Sequence, residues 1–188
     1  SGQVVIISDA DKIDGSFMVA LPINRDYAIS VSYPGYFPYS LNFNLSIPDG
    51  QENYHLDIPL NPETSEVENV LSNVFFDLNQ SKIRETSKIE LLEFVTYLKE
   101  NPQHKIELGG HTDSRGNSTD NLILSSERAK SVFDFLISNG INSNRLSYKG
   151  YGSTQTIISD VEIEKMNSEQ EKEKAHQKNR RTVYKIIL

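Results

Sequence analysis

No cysteine occurs among the 188 residues, so disulfide staples and thiolate metal sites are excluded. That absence fits a reducing cytosol as well as an envelope protein that avoids oxidation, and it leaves the compartment open. A basic run is missing too. The formal net charge of −7 and a pI near 5.1 argue against a phosphate-tracking nucleic-acid binder, which usually shows a basic face. Nor does any apolar stretch approach the roughly 18 residues that a membrane span needs. The chain opens on Ser1-Gly2 rather than Met, which looks like a cloning remnant on an excised fragment, so a signal peptide or anchor could lie upstream.

The length allows one large domain or two small ones, each able to bury a core, and the patterning predicts two. From Val4 to Leu60 the period is two. Phe17, Val19 and Leu21 alternate with smaller neighbours, as do Tyr27, Ile29, Val31 and Tyr33, then Leu41, Phe43 and Leu45, then Leu56, Ile58 and Leu60. Turn signals at Asp14-Gly15, Pro34-Gly35 and Pro48-Asp49-Gly50 punctuate these runs, which predicts a small all-β sandwich over residues 1–61. Tyr33, Tyr36 and Tyr39 suit either an exposed aromatic patch or edge packing. Residues 62–69, polar and without apolar period, read as a linker.

Residues 70–188 alternate strands with helices. Val70–Phe76 reads as a central strand that stops at Asp77-Leu78-Asn79. Thr86 or Ser87 caps a helix whose stripe includes Ile89, Leu92, Val95 and Leu98, with Leu91 and Phe94 beside it, ending at Asn101-Pro102. Lys105–Leu108 gives a strand stopped by Gly109-Gly110. Ser118-Thr119-Asp120 caps a second helix with Leu124, Ala129, Val132, Phe133 and Leu136 on its apolar side, stopped by Asn139-Gly140. A strand from Arg145 to Lys149 leads to Gly150-Tyr151-Gly152. Glu- and Lys-dense residues 160–178 read as a solvated helix or a mobile loop, and Thr182–Ile187 as the last strand.

Asp113 begins a polar loop and Arg128 lies within about two turns of the second helix's start, so the long side chain can reach back toward the acid. A fixed carboxylate beside a planar fork suits a zwitterion, whose ammonium meets the acid and whose carboxylate meets the arginine. A structural salt bridge between loop and helix explains the same spacing. His111 invites a metal or general-base role, but His55, His104 and His176 stand far off without ligand spacing, so a structural or hydrogen-bonding part is expected and no metal site.

Gly109-Gly110-His111-Thr112-Asp113, followed by Asn121, Leu124, Ser125, Arg128, Ala129, Gly150-Tyr151-Gly152 and Asn179-Arg180-Arg181, resembles the OmpA C-terminal family of peptidoglycan-binding domains. The resemblance implies an α/β sandwich over residues 70–188, with helices on one face of a mixed sheet. It assigns Asp113 to the free amino group and Arg128 to the carboxyl group of meso-diaminopimelate in the peptidoglycan stem. It adds Asn121 and Arg180 to the cradle, Leu124 and Ser125 to its lining, and Phe76, Asp77, Leu78 and Asn79 to its border, with Arg115 of the Asp113 loop among the contacts. Asp77 could equally cap a turn. Gly15-Ser16-Phe17, Tyr27, Pro34-Gly35-Tyr36 and Asp57-Ile58-Pro59-Leu60 resemble the carboxypeptidase regulatory-like β-sandwich, and the pairing of the two resembles envelope proteins of Bacteroidetes-like bacteria.

The expectation is an α+β chain without catalytic residues or cofactor. It anchors an outer-membrane-associated, periplasmic protein to peptidoglycan, with other envelope or secretion-complex proteins as further partners. Two rivals stand: a hydrolase using His111 with Asp113 or Asp77, and a protein-interaction module whose Asp–Arg pair is structural.

Overall fold

A computed structural model of the protein describes residues 6–46, 54–63, 68–72, 74–77 and 79–187. The chain divides into two units, Ser1–Ala28 with Asn42–Asp57, and Ile29–Leu41 with Ile58–Leu188. Strands β1 (Arg25–Val31) and β2 (Tyr39–Leu45) pair as a small antiparallel sheet. In the first unit Tyr27 lies over Phe43 at 6.1 Å, Phe43 stacks on Tyr54 at 5.6 Å, and Asn44 donates to Asp26 at 2.8 Å. The alternating runs at 17–21 and 56–60 form no strand. Among the described residues of this unit only Leu45 is buried, so period-two patterning there has no core against which a second ladder would be held.

The second unit is built on four strands in the order β3 (Asn69–Val70), β6 (Thr182–Ile187), β4 (Lys105–His111), β5 (Leu146–Gly152). β4 runs parallel to β5 and antiparallel to β6, giving a mixed sheet. Among the described residues Val70–Phe76, expected as a central strand, contributes Val70 to the two-residue edge strand β3 and a bridge from Phe76 to Ile83. Its apolar residues Leu71 and Val74 are buried, so their hydrophobicity reports on core packing and not on a ladder.

Helices α1 (Lys88–Glu100) and α2 (Ser118–Ser138) cover one face. Leu91, Phe94, Val95 and Leu98 of α1 join Ile106, Leu108, Val132, Leu136, Tyr184 and Ile186 in the core. Ile89 and Leu92 are instead 56% and 48% exposed, because burial follows the Leu91–Phe94–Val95–Leu98 rows. Phe37, from the stretch between β1 and β2, packs in this core edge-on to Tyr184 at 5.3 Å. Asn117, one residue before the expected cap, accepts from the backbone N–H groups of Thr119 and Asp120 and starts α2.

β4 does not stop at its glycines but passes through them to His111. A Cβ at Gly110 would overlap the Ser125 carbonyl, and one at Gly150 would come within 2.5 Å of the Ser126 nitrogen. The pair thus lets α2 lie directly on the sheet. Residues 160–178 form two helices, α3 (Asp160–Glu164) and α4 (Glu169–Asn179), each opened by a reciprocal capping box, Ser159 with Glu162 and Ser168 with Glu171. Fully buried Asn179 accepts from the Ile157 and Ile158 N–H groups and donates to the Ile158 carbonyl, which ties α4 to the segment before α3. Among the described residues no helix is long and apolar enough to cross a membrane.

Candidate functional site

The ends of β4 and β6, the first turns of α2, residues 74–77 and 79, and the inner side of α4 line a cleft of about 820 Å³. Its floor is set by backbone bonds: the His111 N–H donates to the Arg181 carbonyl and the Thr112 N–H to the Gly152 carbonyl, both at 2.9 Å. The chain is therefore fixed up to the residue before Asp113.

Asp113 is 6% exposed. Its Oδ1 accepts from the Arg115 backbone N–H, while Oδ2 accepts from Arg115 Nε at 3.1 Å, Arg115 Nη2 at 2.8 Å and Arg180 Nη1. His176 Nδ1 lies 3.9 Å from that oxygen. Burial pushes the Asp113 carboxyl up, but hydrogen bonds from Arg115 and Arg180 outweigh it and hold it below the usual carboxylate range. The acid stays ionised.

Arg128, 8% exposed, is held differently. Its Nε donates to the Gln80 carbonyl at 3.0 Å, Nη2 reaches the Asp77 carbonyl at 3.4 Å, and the guanidinium sits over the Phe76 ring at 5.2 Å. Burial and the neighbouring Arg180 cation lower its pKa, without bringing a guanidinium near neutrality. Asp113 and Arg128 line the same cleft and do not pair with each other, so the direct salt bridge that the spacing also allowed is not formed.

The remaining expected residues divide between the cleft and its supports. Phe76, Asp77, Asn79, Arg115, Asn121, Leu124 and Arg180 line the cleft. The Asp77 carboxylate is bound by Arg84 at 2.7 Å. Asn121 donates to the Arg115 carbonyl at 3.0 Å, bracing the Asp113 loop against α2. Asn79 has φ of 54°. Ser125 does not line the cleft: fully buried, it accepts from the Gly152 N–H and donates to the Leu122 carbonyl, both at 2.9 Å, and so fastens α2 to β5. Leu78 lies outside the described residues.

The charged wall formed by α4 was not expected. Glu173 takes Arg115 Nη1 at 2.9 Å and Arg180 Nη2 at 2.6 Å, and Gln177 takes Arg180 Nη2 at 2.6 Å. Five arginines (84, 115, 128, 180 and 181) face three carboxylates (Asp77, Asp113 and Glu173) in the cleft of this acidic chain. Serine followed three residues later by glutamate, at 159 and again at 168, was the available sequence signal that 160–178 is helical. From there a seven-residue step sets Glu173 near Arg180.

His111 is buried and stacked on Tyr151, with ring centroids at 4.9 Å and planes 6° apart, and neither ring nitrogen has a hydrogen-bond partner. Of the structural and hydrogen-bonding parts expected of it, the ring takes the structural one, as a packing group. Among the described residues no three His, Cys, Asp or Glu side chains form a metal-ion cluster. Burial, reinforced by Arg181, lowers the imidazole pKa to about 4. The unfolded chain therefore binds more protons between about pH 6.5 and 4, and stability falls as pH drops through that window, flattening below it. The expected loss is about 3 kcal/mol between pH 7 and 4, checked by urea unfolding across pH. Replacing His111 with Gln is expected to remove that part of the slope, and an unchanged slope would count against this assignment.

The sequence matches the profile of the OmpA family over residues 75–170, just over half of the chain. The chain belongs to the OmpA family. This OmpA-family chain is 37% identical over 89 residues to the peptidoglycan-associated lipoprotein of Brucella melitensis, covering 47% of this chain and 53% of that protein. It is 31% identical over 118 residues to outer membrane porin F of Pseudomonas aeruginosa, covering 62% and 34%. It thus spans about half, or less, of these relatives. The crystal structure of the peptidoglycan-associated lipoprotein from Burkholderia pseudomallei superposes with a TM-score of 0.51 at 25% identity, covering 61% of this chain and 88% of that one. The C-terminal domain of Helicobacter pylori MotB shares the fold, with a TM-score of 0.51 at 22% identity over 62% and 83%.

Proposed function

We propose that residues 70–188 bind cell-wall peptidoglycan without cleaving it, gripping the diaminopimelate of the stem peptide and so tethering an envelope protein to the wall. The observation that carries this function is the separation of charge in the cleft: a buried acid and a buried guanidinium on one cavity, fixed by protein contacts and not by each other. A ligand amino acid's ammonium meets Asp113, whose Oδ1 accepts a single N–H among the described residues. Its carboxylate meets Arg128, whose Nη1 has no partner among the described residues. The name of the Brucella and Burkholderia relatives, peptidoglycan-associated lipoprotein, supports peptidoglycan as the partner. A periplasmic location at the outer membrane follows from that ligand, as do contacts with other envelope proteins.

Binding rather than turnover is favoured because His111, the histidine of the rival hydrolase reading, is stacked away without a hydrogen bond to Asp113. Two charge-assisted contacts, offset by desolvation and lost freedom, give modest single-site affinity, which repeated sites along the polymer raise through avidity. The resemblance of residues 1–61 to a carboxypeptidase regulatory-like sandwich rests on sequence alone, and no ligand is proposed for them.

The test is co-sedimentation with isolated diaminopimelate-type sacculi. The parent chain is expected in the pellet, and folded Asp113→Ala and Arg128→Ala variants in the supernatant. If both variants sediment as the parent does, the protein holds the wall by another surface or not at all. Release of soluble muropeptides by the parent would replace anchoring with hydrolysis.

A further inference from the structure

Asp113 is an unusual acceptor for a ligand cation. Two guanidiniums already press on one of its oxygens, with His176 Nδ1 at 3.9 Å. Taken alone, one carboxylate and two guanidiniums carry an excess positive charge, which repels an incoming ammonium. Glu173 changes that balance. From α4 it bonds both guanidiniums, Arg115 at 2.9 Å and Arg180 at 2.6 Å, so that two carboxylates face two guanidiniums and the group is neutral before a ligand arrives.

The local geometry makes Glu173 a fixed part of this arrangement. Its helix is opened by the Ser168–Glu171 capping box and closed by buried Asn179, and Gln177, one turn on, supplies a second acceptor for Arg180 at 2.6 Å. An ammonium that displaces one guanidinium from Asp113 leaves that guanidinium still bound to α4, and desolvation of an unpaired charge is avoided.

We propose that Glu173 is a positioning residue that keeps Asp113 a cation acceptor, and therefore makes the site selective for ligands with a free amine over the same ligands with that amine blocked. This rests on the stem-peptide function above. Asp113 touches the ammonium, and Glu173 acts through Arg115 and Arg180.

The experiment is calorimetric titration of the 188-residue chain with two synthetic probes. One is a stem tripeptide ending in meso-diaminopimelate; the other is that peptide with its side-chain amine acetylated. The parent is expected to bind the free-amine peptide more tightly. Glu173→Gln is expected to weaken the free-amine peptide about three- to tenfold, the range for a half-exposed charge, and the acetylated one less than twofold. The effect is expected to shrink as salt rises. Glu173→Asp is expected to restore part of the preference, and Glu173→Gln combined with Arg115→Gln, which removes a guanidinium with its counter-charge, to restore the ratio between the two peptides. Because Glu173 is 55% exposed, its thermal midpoint is expected to stay near the parent's. Equal weakening of both peptides, or of neither, by Glu173→Gln overturns the proposal while leaving the stem-peptide function intact. A parent that binds neither probe overturns both.

Discussion

Substituting Gly110 with alanine is expected to destabilise the OmpA-like unit by about 4 kcal/mol or more, lowering its thermal midpoint by roughly 15 °C. The added methyl has nowhere to go. It would overlap the Ser125 carbonyl oxygen and press on the Ser125 carbonyl carbon at 2.9 Å, and those are backbone atoms of α2, not the movable end of a side chain. Overpacking against side chains costs about 1–3 kcal/mol because they can repack. Here the helix itself must lift from β4 and β5, opening the Val132–Leu136 contact with Ile106 and Leu108. Gly150→Ala meets the same helix, with Leu122 O at 2.8 Å, and is expected to behave alike. Gly116 supplies the contrast. It has φ of +87° and open space around it, so Gly116→Ala costs backbone strain of about 1 kcal/mol. Circular-dichroism melts of the three variants separate close approach from conformation; a Gly110→Ala midpoint within a few degrees of the parent would mean that α2 does not rest on the glycines.

The same glycines show where sequence was an adequate guide to the fold and where it was not. Gly109-Gly110 were readable as a point of close approach or a turn, since few other reasons put adjacent glycines at the end of an apolar strand. They were also misread as the strand's end, because propensity penalises glycine in a ladder and cannot see that β5 and β6 hold β4 from both sides. The two long helices were legible because their apolar periods and stop signals agree. Val70–Phe76 was misjudged because a short apolar run reports burial and not hydrogen bonding. Within the cleft, the loop and helix motifs located Asp113 and Arg128. They could not show that Asp113 is held by Arg115 and Arg180, or that Ser125 serves the α2–β5 joint. That α4 walls the cleft was not legible, for a physical reason: a helix with Ala175 and Asn179 its only buried residues has no apolar stripe to say where it packs, and its contribution to the site is made by charges that in isolation look merely soluble.

Arg128→Ala is expected to lower affinity for a free-carboxylate stem peptide about 30- to 1,000-fold, the equivalent of roughly 2–4 kcal/mol. The size follows from burial. An exposed guanidinium would contribute little, whereas this one is 8% exposed and already oriented by the Gln80 carbonyl and the Phe76 ring, so a ligand carboxylate gains a rigid donor edge at small entropic cost. Charge alone is not expected to suffice. Arg128→Lys keeps the cation but cannot hold Gln80 and present a second parallel donor, and about a tenfold loss should remain. Amidating the ligand's carboxylate should cost the parent about as much as Arg128→Ala costs the free acid, and the two changes together should cost little more than either alone, because they remove the two sides of one interaction. Calorimetric titration of that four-way cycle decides the assignment. Additive losses would mean that the carboxylate binds elsewhere in the cleft, where Arg84, Arg115, Arg180 and Arg181 are the other cations. Arg128 would then be a strut between α2 and the 76–80 segment, and the separation of charge from which the function is argued would lose one of its two poles.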